Sequence, residues 1–162
     1  MNSDKPAVKR VINFLTQHDI DVEIRELADS ARTAADAAAA LGVEVGQIAS
    51  SIVFSIPEPL LVITSGRHRV DTDLVATTAN LPKLGRADAD FVRNWSGFVI
   101  GGVSPTGWVH DDKPYQPQTF IDVALDEHDE IWAAAGHTHV VFRTNFADLM
   151  RISNATPINV AK

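Results

Sequence analysis

Two apolar, β-rich runs, Ile48–Ile56 and Leu60–Thr64, are separated only by Pro57-Glu58-Pro59. Proline breaks a strand and sets up a turn, so the spacing predicts a β-hairpin. So short a connection can join only antiparallel strands, because a parallel crossover needs a dozen residues or more. The hairpin therefore argues against a purely parallel, doubly wound sheet.

The other segments alternate helix and strand patterns around this hairpin. Val8, Val11, Ile12, Phe14 and Leu15 recur at helical spacing, with Pro6 where a first turn tolerates it, and predict a helix over Lys5–Gln17. Asp21–Leu27 reads as a strand. Thr33 with Asp36 three residues on, and Gly42 after Leu41, bracket a short helix over Ala34–Leu41. Asp71–Thr78 and Ala87–Trp95 read as helices, and Gly97–Val103 as a glycine-rich, β-like stretch. Thr119–Leu125, Glu130–Ala135 and Val140–Arg143 read as strands, with Asp126-Glu127-His128-Asp129 as a polar turn. Asn145 caps a last helix through Ile152, and Pro157–Val160 closes as a strand or tail. The expected fold is mixed α/β (α+β), a curved, partly closed mixed sheet surrounded by helices. The chain is expected to be a single domain over residues 1–162.

Composition narrows the function. The chain has 162 residues, 45% of them apolar, and no cysteine, which excludes disulfides, thiolate metal sites and cysteine nucleophiles. No apolar run approaches the ~20 residues of a membrane span, and the N-terminus has no signal-peptide core, so a cytoplasmic protein without membrane contact is expected. A net charge of −7 argues against gripping DNA or any extended duplex. Two local basic clusters, Arg67-His68-Arg69 and Lys83 with Arg86, leave room for contact with a nucleic-acid end.

Gly101-Gly102-Val103-Ser104-Pro105-Thr106-Gly107 is the first candidate for chemistry. It lacks the Gly-Lys-Ser/Thr end of a phosphate loop, and no helix pattern follows it as in a dinucleotide fingerprint. Glycines do permit close backbone approach, and successive N–H groups can converge on one oxygen, as an oxyanion hole requires. A bulged strand with a Ser-Pro turn explains the same residues without function. The second candidate is Ala134-Ala135-Gly136-His137-Thr138-His139. His137 and His139 would need a third ligand, from His68, His110, Asp111 or Asp112, to hold zinc, and the spacing selects none. Asp122 sits inside an apolar strand. Pointing inward, it would need donor partners.

Taken in order, Leu81–Asp88, Gly97–Gly107, Ile121-Asp122 and Trp132–His137 resemble the YbaK/ProX-type aminoacyl-tRNA deacylases, freestanding relatives of the editing insertion in bacterial prolyl-tRNA synthetases. The resemblance spans about Lys5–Ala155. It implies hydrolysis in trans of the ester between a small, wrongly attached amino acid and the 3′ end of a tRNA. A synthetase is an implied partner, and no metal or other cofactor is expected. Gly101 and Gly102 are implied as catalytic backbone, with Asp122 as the family's strand aspartate. Val103, Ser104, Pro105, Gly136 and His137 are implied to cradle the substrate. Members of the family carry lysine where this chain has Ser50, and that lysine is thought to hold the substrate's phosphate or ester end. Ser50 therefore occupies a catalytic position without a charge. Either turnover is weak, or the chain only binds, or another cation substitutes, with Arg67 and Lys83 as the candidates.

Overall fold

The computed structural model describes residues 1–162. The hairpin forms as the Pro-Glu-Pro spacing requires: β2 (Ile48–Ser55) pairs antiparallel with β3 (Pro59–Ser65) along its whole length. β3 is buried at every position, the mark of a strand covered on both faces.

Around it the chain builds β1 (Ile24–Glu26), β4 (Gly85–Arg86), β7 (Gln118–Asp122), β8 (Ile131–His137), β9 (Val140–Thr144) and β10 (Thr156–Ile158). The sheet order is β1-β9-β8-β2-β3-β7-β10, with β4 also on β2. It is mixed: β2 with β8, β3 with β7, and β7 with β10 run parallel, and the remaining pairs antiparallel. A separate hairpin joins β5 (Trp108–His110) to β6 (Lys113–Tyr115).

Helices cover both faces. α1 (Pro6–Gln17), α4 (Ala89–Ser96) and α5 (Phe146–Ser153) close one face through Val8, Val11, Leu15, Val92 and Leu149, which pack on Ala49, Leu61, Ile63 and Phe142. α2 (Ala34–Leu41) and α3 (Thr72–Thr78) cover the other through Leu41 and Val75. Thr33 caps α2 by accepting from the Asp36 N–H, and Gly42 ends it in the left-handed conformation, as the sequence signals require. Asp71, Asp88 and Asn145 cap α3, α4 and α5 in the same way.

Three sequence expectations change. Gly97–Val103 is not β-like: Gly97 ends α4 with φ 76°, and the Gly102 N–H then closes a turn on the Val99 carbonyl at 3.0 Å. The strand expected to Leu125 stops at Asp122, whose carboxylate accepts from the Ala124 N–H and turns the chain into a 3₁₀ helix over Val123–Glu127. Asp21–Leu27 contributes only the three residues of β1 to the sheet.

Candidate functional site

Pairing along one edge of β2 leaves a gap. β8 meets β2 only at Ile48–Ala49, and β4 only at Phe54–Ser55. Between them Ser50, Ser51, Ile52 and Val53 have no strand on that side. A cavity of about 490 Å³ opens on this gap, within the usual ~300–1,000 Å³ of small-molecule sites. Its wall takes Ser51 and Val53 from one face of β2 and Ile52 and Phe54 from the other. β4 and α4 contribute Arg86 and Val92, and the glycine-rich loop contributes Ile100, Gly101 and Val103. Ile52 and Ile100 are exposed, which gives the mouth an apolar rim.

The loop that supplies Gly101 and Val103 is held at both ends by one side chain. Arg10 of α1 donates to the Gly107 carbonyl at 2.8 Å and to the Ser96 and Gly97 carbonyls at 3.4 and 3.3 Å. Its guanidinium also lies 4.7 Å from the centre of the Phe98 ring. A planar fork can serve these carbonyls while stacking, which an ammonium cannot. Burial lowers the Arg10 pKa from its ordinary value. Inside the loop, Ser104 and Thr106 are fully buried: the Ser104 Oγ accepts from the Thr106 N–H, and its carbonyl accepts from Trp108 Nε1 at 2.7 Å. The Pro105 carbonyl accepts from Gln116. Ser104 and Pro105 thus shape the loop from within and do not line the cavity.

The two glycine segments meet. A Cβ on Gly102 would lie 3.0 Å from the backbone of His137 and Thr138, closer than ordinary contact, so glycine lets these chains approach without displacing either. Gly136 has φ 98°, and a Cβ there would come within 2.9 Å of the Ala7 carbonyl oxygen. It marks the bulge that ends regular pairing of β8 with β9. His137 Nδ1 accepts the His139 N–H at 3.1 Å, which leaves the ring proton on Nε2 when the imidazole is neutral. Burial, then the neighbouring His139 and Lys5, lowers the His137 pKa from its ordinary 6.5.

The N–H groups differ along the loop. Gly102 donates to Val99, so it offers no free donor. The Gly101 and Val103 N–H groups have no acceptor in the protein. Ser51 Oγ, in the cavity wall, is buried without a hydrogen-bond partner. Arg86 stood out in the sequence only as half of a basic cluster with Lys83, and Ser51 and Arg10 carried no spacing signal that assigns them to a site.

Other candidates lie apart. Asp122 is 1% exposed, and all its bonds are internal: Oδ2 accepts from the Ser65 N–H at 3.0 Å, Thr64 Oγ1 at 3.4 Å and His68 Nδ1 at 2.8 Å, and Oδ1 from the Ala124 N–H at 3.0 Å. Asp122, His68 and Arg67 border a separate hollow of about 330 Å³, where Arg67 pairs with Glu127. Lys83 is exposed and outside both hollows. Neither substitute cation named from the sequence therefore reaches the cavity. Ser50 points to the same face of β2 as Ile52, beside the cavity and across from Thr64. His110 stacks on Trp95 and His68 binds Asp122, and no group of three His, Asp or Glu side chains is placed to hold a metal ion.

With this geometry in place, the relatives of the chain are informative. Residues 28–152 match the aminoacyl-tRNA editing domain, and the chain belongs to that family, which includes the YbaK/ProX proteins. A crystal structure of a candidate trans-editing enzyme for prolyl-tRNA synthetase superimposes with a TM-score of 0.88 at 32% identity, covering 98% of each chain. A protein from a study of computational epitope grafting onto scaffolds gives 0.88 at 31% identity, over 98% of this chain and 99% of its own. The uncharacterised protein YwhH of Bacillus subtilis (strain 168) is 27% identical over 132 residues, 80% of each chain. No helix is long and apolar enough to cross a membrane.

Proposed function

We propose that the chain hydrolyses, in trans, the ester of a tRNA carrying a small, wrongly attached amino acid. One observation carries this reading: the cavity on the open edge of β2 is walled by Gly101 and Val103, whose N–H groups have no acceptor. Two unpaired donors beside an apolar pocket suit the oxygen of an ester carbonyl, which gains negative charge as it is attacked.

The acyl side chain packs against Val53, Val92 and Val103. Water, which the neighbouring ribose hydroxyl can orient, attacks the carbonyl carbon. With water, a C–O bond forms, the ester C–O bond to the ribose breaks, and the proton passes to the ribose oxygen. The products are the free amino acid and tRNA with a free hydroxyl. An aminoacyl ester is already activated, so positioning and oxyanion stabilisation suffice without a protein nucleophile. Ser51 Oγ, unpartnered in the wall, gives a further hydrogen bond to the substrate. The His137-Thr138 backbone acts behind the loop, fixing Gly102 and so the direction of its neighbours' N–H groups, while Gly136 packs its strand against Ala7 and Phe98. Asp122 holds the ends of β3 and β7 together. A panel of mischarged tRNAs, followed for release of the amino acid, tests the reading.

Ser50 supports a second reading, a relative that binds aminoacyl-tRNA and turns it over weakly or not at all. A serine donates one uncharged hydrogen bond where the family carries a cation. Ser50→Lys separates the two readings: the binding reading expects deacylation to appear or rise.

A further inference from the structure

Of the residues around the cavity, Arg86 alone is charged. It stands on β4, which pairs with Phe54–Ser55, so its backbone is fixed at the β4 end of the gap in β2. Close packing holds that strand: a Cβ on Gly85 would lie 3.1 Å from the Ser55 carbonyl oxygen. Arg86 has no carboxylate partner, and among the arginines without one (Arg10, Arg32, Arg69 and Arg93 are the others) it alone lines this cavity. An unpaired guanidinium at an otherwise uncharged cavity suits an anionic ligand, whatever the repulsion from the chain's net charge of −7. Its planar fork fits two phosphate oxygens at once, and Arg86 is exposed, so the guanidinium is open to a ligand from solvent.

We propose that Arg86 is a phosphate-positioning residue: its guanidinium holds the 5′-phosphate of the terminal nucleotide whose ribose carries the aminoacyl group in the cavity. This rests on the deacylase reading. Arg86 acts from the β4 wall, and Ser50 lies four residues back along β2 from Phe54, the partner of Arg86.

Two non-hydrolysable probes test the assignment by calorimetry: 3′-alanylamino-3′-deoxyadenosine with and without a 5′-phosphate. The wild-type chain is expected to bind the phosphorylated probe about 10-fold or more tightly. R86A should bind both probes alike, and R86K should keep part of the preference. With mischarged tRNA, R86A should raise KM far more than it lowers kcat, a split that general loss of folding does not produce. Wild-type hydrolysis without any phosphate preference, or a preference that survives in R86A, overturns the role of Arg86 alone. Absence of both hydrolysis and probe binding overturns the deacylase reading and this assignment with it.

Discussion

The backbone of Gly102 lies directly on that of His137, so close that a Cβ on Gly102 would sit 3.0 Å from the His137 Cα. This contact joins the two glycine segments and sets the position of Gly101 and Val103 beside the cavity. Gly102→Ala must push backbone against backbone, which no rotamer change relieves. We expect a stability loss of about 1–3 kcal/mol, as for other overpacked sites. The fall in kcat/KM for mischarged tRNA should exceed 10-fold. Thermal melting beside single-turnover deacylation measures both; full activity in the alanine variant would separate this contact from catalysis.

Asp122 should behave as a structural anchor. Asp122→Ala leaves the buried Ser65 and Ala124 N–H groups without an acceptor and His68 without its partner. The expected cost is about 2–5 kcal/mol. Denaturant unfolding reads it directly. Any variant that stays folded should keep the wild-type kcat per folded molecule, and a kcat loss at unchanged stability contradicts the anchoring role.

Ser50→Lys places an ammonium next to the cavity on the face shared with Ile52. A charged donor is worth about 1.5–3 kcal/mol, or roughly 10- to 150-fold. An increase of that size in kcat/KM identifies Ser50 as the cause of a weakened site. A decrease shows a cavity adapted to serine and contradicts Ser50 as the cause of a weakened site.

His137 gives a pH dependence. Its pKa in the folded chain lies below the ordinary 6.5. As pH falls through 6.5 the unfolded chain takes up the proton first, so stability falls with it until the folded-state pKa is passed. Above 6.5 both states are neutral and His137 contributes no pH dependence. Melting temperatures from pH 7.5 down to 5 should decline less steeply in His137→Gln than in wild type. An identical decline in both chains would contradict the assignment.

Most of the architecture could be read from local chemistry. The helix caps at Thr33 and Asn145 and the Pro57-Glu58-Pro59 turn act within a few residues, so sequence spacing reveals them. The gap in β2 could not be read that way: it depends on where β8 and β4 stop pairing, at Ala49 and Phe54, and those partners are remote in sequence. For the same reason Gly101 was legible as a loop residue, while Arg86 and Ser51 were not legible as its neighbours across a cavity. Asp122 stood out as an acid in an apolar strand. Its four donors come from three segments, and only the fold shows that they leave its oxygens occupied. Gly102 shows a further limit: a glycine in the expected oxyanion loop has its N–H already committed to Val99.

Hydrolysis of an aminoacyl ester is proposed for the cavity between β2, β4 and the Gly101–Val103 loop. Release of amino acid from a panel of mischarged tRNAs by the purified wild-type chain tests it most directly. Hydrolysis of at least one tRNA carrying a small amino acid, well above the spontaneous rate and reduced more than 10-fold in Gly102→Ala, is the predicted result. Spontaneous rates for every member of the panel would contradict it.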